Sequence, residues 1–541
     1  MWKFFNNKIL NGQSQTITSA AIILAAASLA SRILGLVRDR LLAGTFGAGD
    51  TLDIYYAAFR IPDLVYNLLI LGALSAGFIP VFVSLWQSGD NSEKSWRFVN
   101  NILNILLFGL IILGGLFFIF APQLMKLITP GFADEKLSLT VALTRIMFLS
   151  PLFLGVSGIL GGILQSVKRF FVFSLAPIFY NLGIIFGILF LVPRFGIYGL
   201  AFGVALGALL HMLIQLPTVL ALGFRWRPAF SWADQGVRRL TVLMVPRTLT
   251  LAVSQLNFVA ITILASGLAA GSLAIFNLAY NIWSFPLGIF AASLATAAFP
   301  TLAQNVSSKD WDVFAKNFSA TFRQILFLIV PASALFLVLR AQIVRLILGS
   351  GKFDWEDTIL TLESLRYLTL GLLAEALILL LIRGFFALED TRTPFWLGFL
   401  SSILRISGAW FFAQYLGPAG LALGYALGGV ANMILLWIFL ERKVGDLRFK
   451  EIAVSGLKIF LASFLAGSGA YLALQVMDWF VDTHRVVGIF TQGLVAGIFG
   501  IFIYFLVCFL LRCEEIISFW RSIKNRLPWR QVAPDKELIQ E

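Results

Sequence analysis

Charged side chains are concentrated in one short part of the chain, residues 31–63. Arg32 and Arg38 lie six positions apart there, which on a helix is roughly 9 Å of rise and about 120° of rotation. A guanidinium group binds phosphate through two N–H groups and keeps its charge where water is scarce. The two arginines therefore predict a site for a large anionic headgroup that carries two phosphates. The charged residues singled out in this segment are Arg32, Arg38, Asp39, Arg40, Asp53, Arg60 and Asp63.

The same segment also allows a purely structural interpretation. Arginines near the end of a membrane-spanning helix extend towards water along their apolar stems. Arg38 is followed directly by Asp39, with which it can pair. Residue type alone does not separate an anion site from a helix-end ion pair, so both interpretations stay open at this point.

Six further ionisable residues fall inside apolar runs, where a charge costs a few kcal/mol and is a functional candidate for that reason. Glu375 and Arg405 lie deepest, and a structural ion pair between them fits as well as a role in transport. His211 fits a hydrogen-bonded packing residue better than a proton relay. The six are Arg145, His211, Glu363, Arg366, Glu375 and Arg405.

The composition excludes a soluble protein. Of 541 residues, 59% are hydrophobic and 13% are charged, against roughly 25% charged in soluble domains, and the mean hydropathy is +0.88. In a membrane protein, the net charge of +13 reflects basic cytoplasmic loops and not nucleic-acid binding. With two cysteines and two histidines, the sequence predicts no disulfide framework, no metal site, no cofactor and no enzyme.

Apolar runs long enough for spanning helices, which need about 20 residues, occur along the whole chain. Pro62, Pro80 and Pro286 lie in the second and eighth runs, so bent or interrupted helices are expected there. We predict an all-α polytopic membrane protein with 14 transmembrane helices. The runs are approximately 17–36, 54–86, 98–120, 137–165, 171–193, 197–223, 248–268, 271–302, 320–340, 358–383, 393–415, 418–440, 452–476 and 488–511.

Basic residues in alternate loops predict the orientation. The side that would hold both termini carries 27 Lys and Arg, against nine on the other side, so both termini are predicted to be cytoplasmic. The apolar start after Lys3 and Lys8 is also typical of a signal peptide. Because the run continues into Arg32, we interpret it as a retained helix.

An internal repeat relates the two halves of the chain. Residues 196–212 read GIYGLAFGVALGALLHM and residues 417–433 read GPAGLALGYALGGVANM, at a constant offset of 221. Small residues at these spacings permit close helix packing, so two similar packing helices would give the same pattern. The offset also brings together two short turns, 165–170 and 386–391, which favours homologous halves. Such halves place a substrate site between them at mid-membrane and work by alternating access.

Several blocks resemble the MurJ/MviN-type lipid II flippases, a family of the multidrug/oligosaccharidyl-lipid/polysaccharide exporter superfamily. The resemblance implies two pseudo-symmetric six-helix lobes around a central cavity, two extra C-terminal helices, and transport of an undecaprenyl-diphosphate-linked peptidoglycan precursor. It implies an N-terminal lobe (1–223), a cytoplasmic amphipathic linker (224–247), a C-terminal lobe (248–440), a lipid-tail groove (452–511) and a cytoplasmic tail (512–541). The blocks are SRILGLVRDRLLAGTFGAG at 31–49, GALSAGFIPVF at 72–82, GILQSVKRFFVFSLAPIFYN at 162–181, SQLNFVAITILASGL at 254–268, FPLGIFAASLATAAFPTLAQ at 285–304 and FALEDTRTP at 386–394.

The resemblance also implies site residues. The cavity arginines of the family correspond to Arg32 and Arg38, with Asp39 beside the second and Asp53 as a further recurrent acid. Arg60 completes the substrate-binding set that we predict, because it and Arg145 are the candidates to replace cations that this chain lacks.

Those missing cations are departures from the family pattern. Tyr66 and Asn67 stand where members have two arginines, and Leu71 stands where they have a glutamate. Tyr280 and Asn281 replace an aspartate and an arginine. Two basic side chains expected at the diphosphate are therefore absent.

The ion site of sodium-binding members is altered as well. Ile261, Arg405, Ala409 and Tyr425 stand approximately where those members have oxygen-bearing side chains. Our hypothesis is that Arg405 occupies the vacated site as a permanent cation, so that sodium coupling is lost. The alternative is that Arg405 only pairs with Glu375 to hold the C-terminal lobe together.

Three functions follow from these observations. The first, which we predict, is a lipid II flippase that works by alternating access. The second is a flippase for another polyprenyl-diphosphate-linked glycan, and the third is a non-transporting or drug-exporting relative. The expected partners are the lipid-linked diphosphate glycan, membrane lipids and the cell-wall synthesis machinery, without nucleic acid. The expected location is the bacterial cytoplasmic (inner) membrane.

Overall fold

The computed structural model describes residues 17–71, 77–87, 92–483 and 485–517. These residues are nearly all helical, and no β-strand occurs among them. In chain order the helices are α1 (Ile17–Phe46), α2 (Asp50–Val65), α3 (Ile79–Gln87), α4 (Ser92–Ile128), α5 (Asp134–Met147), α6 (Leu149–Ser166), α7 (Phe170–Phe186), α8 (Val192–Phe195), α9 (Tyr198–Leu213), α10 (Leu216–Ala221), α11 (Gln235–Ser266), α12 (Ser272–Pro286), α13 (Ala292–Ser307), α14 (Trp311–Ile347), α15 (Trp355–Leu370), α16 (Leu372–Ala387), α17 (Arg392–Leu416), α18 (Pro418–Val444), α19 (Phe449–Met477) and α20 (Val486–Leu510).

Each predicted apolar run contains helix within the described residues. Within the described residues, 10 helices are long and apolar enough to cross a membrane, and α15 with α16 makes an eleventh candidate that is bent by 42°. The helices α1 and α11, with 30 and 32 residues, are also long enough to span. The prediction of an all-α polytopic membrane protein is confirmed, and the number of 14 spans stays a prediction.

Two of the predicted helix interruptions occur at prolines. Pro62 lies inside α2, which continues into a π-helical turn at Tyr66–Leu71. Pro286 ends α12, and a second π-helical turn, Leu287–Ala291, leads into α13. Proline lacks the backbone N–H that the helix ladder needs and its ring clashes with the preceding turn, so the ladder is locally rearranged.

The chain separates into two compact units. The first contains Met1–Phe285, Ile347–Leu368 and Phe395–Ala431, and the second contains Pro286–Leu346, Thr369–Pro394 and Asn432–Glu541. In the first unit, α9 packs against α6 and α7, and α1 packs against α7. In the second unit, α19 packs against α20, and α13 packs against α16. The division into the lobes 1–223 and 248–440 is a separate prediction and stays one.

Glycine contacts repeat between the two halves of the chain. Between α7 and α9, a Cβ atom on Gly203 would lie 2.8 Å from the Cα atom of Gly187. Between α17 and α18, a Cβ atom on Gly424 would lie 2.5 Å from the carbonyl carbon of Gly408. Gly408 lies 221 residues after Gly187, and Gly424 lies 221 residues after Gly203. The two helix pairs therefore pack through equivalent backbone contacts, as expected for homologous halves.

The turns repeat in the same register. Gly196 and Gly417, with φ of 57° and 55°, begin the repeated segments. Lys168 and Glu389, with φ of 62° and 57°, adopt the left-handed conformation in the turns before α7 and α17. This conformation is uncommon for residues with a Cβ atom. Its occurrence at both members of a pair separated by 221 residues therefore supports the repeat independently of the glycines.

Replacing Gly424 with Leu should destabilise the protein, because its Cβ atom would lie 2.0 Å from the backbone nitrogen of Ala409. We expect a loss of at least about 1–3 kcal/mol of unfolding free energy, the usual cost of overpacking. Thermal unfolding of the purified protein in detergent measures it. The control is Gly398→Leu on the same helix pair, where no heavy atom lies within 4 Å of the added Cβ. Equal midpoints for the two variants would contradict the close approach of α17 and α18.

Candidate substrate-binding site

Arg38 and Asp39 form an ion pair in α1 that two asparagines extend. The Nη2 and Nε atoms of Arg38 donate to Asp39 Oδ1 at 2.8 and 3.0 Å. Arg38 Nη1 donates to Asn181 Oδ1 of α7 at 3.3 Å, and Asn281 Nδ2 of α12 donates to Asp39 Oδ2 at 3.0 Å. Asp39 is buried, and a buried carboxylate requires such compensation. The cluster joins three helices, and its two charges cancel.

Arg60 in α2 is held by neutral groups. Its Nε atom donates to Thr262 Oγ1 of α11 at 2.8 Å, and its Nη2 atom donates to Asn277 Oδ1 of α12 at 2.6 Å. Its Cζ atom lies 5.4 Å from the ring centroid of Phe258, in a cation–π contact. Among the described residues no carboxylate pairs with Arg60, and Asp63 adds only a longer-range attraction. Arg60 is therefore a cation whose charge no direct contact cancels.

Helix α12 brings these two arrangements side by side. Asn277 binds Arg60 and Asn281 binds Asp39. The two asparagines are four residues apart, which places them on one helix face about 6 Å apart along the axis. The structure therefore unites Arg38, Asp39 and Arg60, three of the predicted site residues, in one polar region of the first unit.

The polar contacts of this region also follow the repeat. Positions 60 and 281 are equivalent at the offset of 221. Arg60 reaches from the second helix of the N-terminal half to α11, the first helix of the C-terminal half. Asn281 reaches from the second helix of the C-terminal half to α1, the first helix of the N-terminal half. One half therefore contributes a cation at the position where the other contributes a neutral amide.

Arg32 lies on α1, six residues before Arg38, and its side chain is half-buried. In the described part of the chain no ion pair or hydrogen bond to its guanidinium group is found. Arg32 is thus not joined to the Arg38 cluster by a direct contact. Its charge remains available, and its role in substrate binding stays a prediction.

Asp53 has a different environment from the arginines. Its Oδ2 and Oδ1 atoms accept the backbone N–H groups of Gly271 and Ala274 at 2.8 and 2.9 Å. Lys136 Nζ of α5 lies 2.9 Å from Oδ2. Asp53 therefore caps the start of α12, where a carboxylate satisfies free N–H groups and the helix dipole. These contacts give Asp53 a structural function, while its predicted contact with substrate stays a prediction.

Three backbone contacts accompany Asp53 where the helix ends meet. Gly44 O accepts the backbone N–H of Lys352 at 2.8 Å. The backbone N–H of Ala48 donates to Asp357 Oδ2 at 2.9 Å, and the N–H of Gly131 donates to Ser266 Oγ at 3.2 Å. We call these three contacts, together with those of Asp53, the end clamp. It joins the α1–α2 and α4–α5 junctions of the N-terminal half to the α11–α12 and α14–α15 junctions of the C-terminal half.

The residues predicted to replace the ion site of sodium-binding members include a cation that lies against aromatic rings. The Cζ atom of Arg405 lies 4.3 Å from the ring centroid of Tyr425. That ring contacts Tyr280 and Trp283 at centroid distances of 5.8 and 6.0 Å. Ile261 is buried. A sodium ion needs several oxygen ligands, whereas here the guanidinium group of Arg405 lies on a cluster of aromatic rings.

Two other predicted residues lie apart from this region. His211 Nδ1 and Ser157 Oγ share a hydrogen bond at 2.6 Å, and Gln215 Nε2 donates to the same hydroxyl at 2.6 Å. These contacts support the interpretation of His211 as a hydrogen-bonded packing residue. Glu375 lies in α16 of the second unit, and its pairing with Arg405 stays a prediction.

Four polar residues of the site are not conspicuous in the sequence. Asn181, Thr262, Asn277 and Lys136 all make direct contacts to the predicted residues. Asn181 and Asn277 occur in apolar runs, where an amide is also costly unless it finds a partner. A search for amides as well as charges in those runs would have identified them.

Replacing Asp53 with Ala should destabilise the fold more than replacing Asp50 with Ala. Asp53 serves two buried N–H groups and Lys136, whereas Asp50 pairs with the same lysine but leaves 63% of its side chain exposed. We expect a loss of about 2–3 kcal/mol for Asp53→Ala and less than about 1 kcal/mol for Asp50→Ala. Unfolding in detergent measures both. A larger effect at Asp50 would show that the capping contacts contribute little.

These features define a class of protein. The chain is a multi-pass helical membrane protein with repeated halves and arginines in a polar interior, and no cluster of metal-binding side chains occurs within the described ranges. Such an architecture is that of a membrane transporter built from repeats.

Comparisons with known proteins identify the family. A family model described as "Lipid II flippase MurJ" matches residues 42–490. A "Probable lipid II flippase MurJ" of Vibrio cholerae is 32% identical over 434 residues, which cover 78% of this chain and 83% of the relative. A relative with the same description from Haemophilus influenzae is 30% identical over 470 residues, covering 84% and 92%. The chain belongs to the lipid II flippase MurJ family.

Solved structures show the same fold. One described as lipid II flippase MurJ in an inward closed conformation has a TM-score of 0.74 at 24% identity, covering 93% of this chain and 100% of that one. An inward-facing MATE family transporter of the MOP superfamily has a TM-score of 0.66 at 15% identity, covering 77% and 95%. The predicted fold class is therefore confirmed.

Proposed function

We propose that this chain translocates lipid II across the bacterial inner membrane by alternating access, and that Arg60 is the main cation for its diphosphate. Family membership supports the activity. The choice of Arg60 is supported by its contrast with Arg38. Asp39 neutralises Arg38, whereas only neutral groups bind Arg60. An anionic headgroup gains most from a cation whose charge is not already cancelled.

Binding at Arg60 involves an exchange of partners. Its guanidinium group now donates to Thr262 and Asn277, and a phosphate would replace these neutral acceptors with a charged one. Charge-assisted hydrogen bonds are shorter and roughly twice as strong as neutral ones. The released amide and hydroxyl groups can then bind the glycan. Arg32, on α1, provides a second cation for the diphosphate. The ion pair of Arg38 and Asp39 forms one polar wall of the site.

The end clamp corresponds to the external gate in this proposal. The orientation predicted from basic loops puts the α1–α2, α4–α5, α11–α12 and α14–α15 junctions on the external side. Opening to that side would require the N–H groups of Gly271 and Ala274 to leave Asp53. Movement of residues 1–223 against 248–440, joined by the linker 224–247, is the motion that we propose.

The remaining parts of the chain follow from the same topology. We place both termini and the tail 512–541 in the cytoplasm, although residues before 17 and after 517 lie outside the described part of the chain. Helices within 452–511 would line a groove for the lipid tail. The cell-wall synthesis machinery is the proposed partner, because lipid II is the precursor that it consumes.

A different polyprenyl-diphosphate-linked glycan is the second candidate substrate. The observation in its favour is the neutral amide at Asn281, which binds Asp39 where family members have an arginine. The change leaves fewer cations for the headgroup. A comparison of lipid II with other undecaprenyl-diphosphate glycans in the assay below separates the two substrates.

Replacing Arg60 with Gln should reduce translocation of lipid II by at least about tenfold, since a charged phosphate contact is lost. The measurement is flipping of labelled lipid II by the purified protein in vesicles, with the unfolding temperature as a check of the fold. Arg60→Lys keeps the charge and should retain intermediate activity. Arg194→Gln, which removes an exposed arginine of α8, is the control. Full activity of a folded Arg60→Gln protein would refute the assignment.

Transport should not depend on sodium. Arg405 lies over Tyr425 where sodium-binding members have oxygen ligands, and a permanent cation repels another cation. Flipping rates in vesicles with sodium, potassium or choline at equal ionic strength should agree within about twofold if no bound ion contributes to the coupling. A sodium-specific stimulation would contradict the proposal that Arg405 replaces the ion.

A further inference from the structure

A basic cavity of about 640 Å³ lies in the second unit, where α14, α19 and the end of α20 meet. It contains no residue of the substrate site. Its lining includes three acidic residues, Glu451, Glu514 and Glu515, and twice as many basic ones. The basic residues are Lys316, Arg323, Arg448, Lys450, Lys458 and Arg512.

The acidic residues are already engaged by Arg323. Its Nη1 atom lies 3.0 Å from Glu514 Oε2 and 3.4 Å from Glu515 Oε1, and its Nη2 atom lies 3.7 Å from Glu451 Oε2. Ser455 Oγ also donates to Glu515 at 2.8 Å. The three carboxylates offset half of the six positive charges, so the lining keeps a net charge of +3.

Besides Arg323 and Arg448, which form ion pairs, four basic residues line the cavity, namely Lys316, Lys450, Lys458 and Arg512. In the part of the chain that the structure describes, none of the four takes part in an ion pair. They come from three different parts of the second unit, on α14, on α19 and just after α20. Their convergence on one cavity forms a site for an anionic group with several acceptor oxygens.

An exposed apolar surface continues directly from the cavity. Val454 lines the cavity and is 58% exposed. Leu457 and Phe460, further along α19, are also exposed, as are Phe509 and Leu510 at the end of α20. A free phosphate ion would leave this surface uncovered, whereas the acyl chains of a phospholipid would cover it.

We propose that this cavity binds the phosphate headgroup of an anionic phospholipid, with the acyl chains along α19 and α20. The predicted orientation puts the cavity at the cytoplasmic surface, where basic pockets between spanning helices bind anionic headgroups. The ligand is a lipid of the surrounding membrane. The headgroup cavity shares no residue with the polar region around Arg60, whereas the acyl chains would lie on the helices that we also propose for the lipid-tail groove.

The test is thermal unfolding of the whole protein in a neutral detergent, titrated with phosphatidylglycerol, phosphatidylcholine or inorganic phosphate. The variant is Lys450→Gln/Lys458→Gln/Arg512→Gln. The matched control is Arg238→Gln/Arg239→Gln/Lys309→Gln, which removes the same charge from exposed basic residues outside the cavity. The single variant Lys450→Gln, at an exposed position, is measured in parallel in case the triple variant does not fold.

Phosphatidylglycerol should stabilise the unaltered protein and the control at the same concentrations. The triple variant should need at least about tenfold more lipid and Lys450→Gln several-fold more, because each basic group adds to headgroup affinity. Phosphatidylcholine and inorganic phosphate should have no comparable effect. The proposal is overturned if phosphatidylcholine or inorganic phosphate stabilises equally, or if Lys450→Gln and the folded triple variant respond like the control.

Discussion

A charge inside an apolar layer must be compensated by its neighbours, and this constraint organises the first unit. Arg38 and Asp39 satisfy it by pairing with each other, and the neutral partners Asn181 and Asn281 bring α7 and α12 to them. Arg60 satisfies it with a hydroxyl, an amide and an aromatic ring. Arg60 therefore keeps a net positive charge, which can attract an anionic substrate.

Rigid helix pairs hold these polar groups at fixed positions. Asn181 lies on α7, whose backbone contacts α9 through Gly187 and Gly203. Helices that approach this closely cannot slide or rotate without a steric clash. The interior polar region is therefore carried by stiff elements, whereas the end clamp consists of hydrogen bonds at helix ends, which can open one at a time. This separation of stiff elements from helix-end hydrogen bonds is consistent with the alternating access that we propose.

The sequence predicts the helices because apolar runs of this length have few other structures, and it predicts Arg38, Asp39 and Arg60 because charge in such runs is conspicuous. It does not reveal their partners. Asn277 and Asn281 acquire a role only when α12 packs beside α1 and α2, and that packing joins residues more than 200 positions apart. The capping function of Asp53 depends on backbone N–H groups, which carry no side-chain signal. The ring beneath Arg405 is likewise a product of helix packing.

The equivalent glycine contacts have an evolutionary consequence. A half-length ancestor with one such helix pair would have assembled from two copies, and every substitution would then have appeared twice around the symmetry axis. Fusion of the two copies allows each half to change alone. Ile184 and Arg405 occupy equivalent positions, as do Arg60 and Asn281, and in both cases only one half is charged. This one-sided charge pattern is inaccessible to a homodimer.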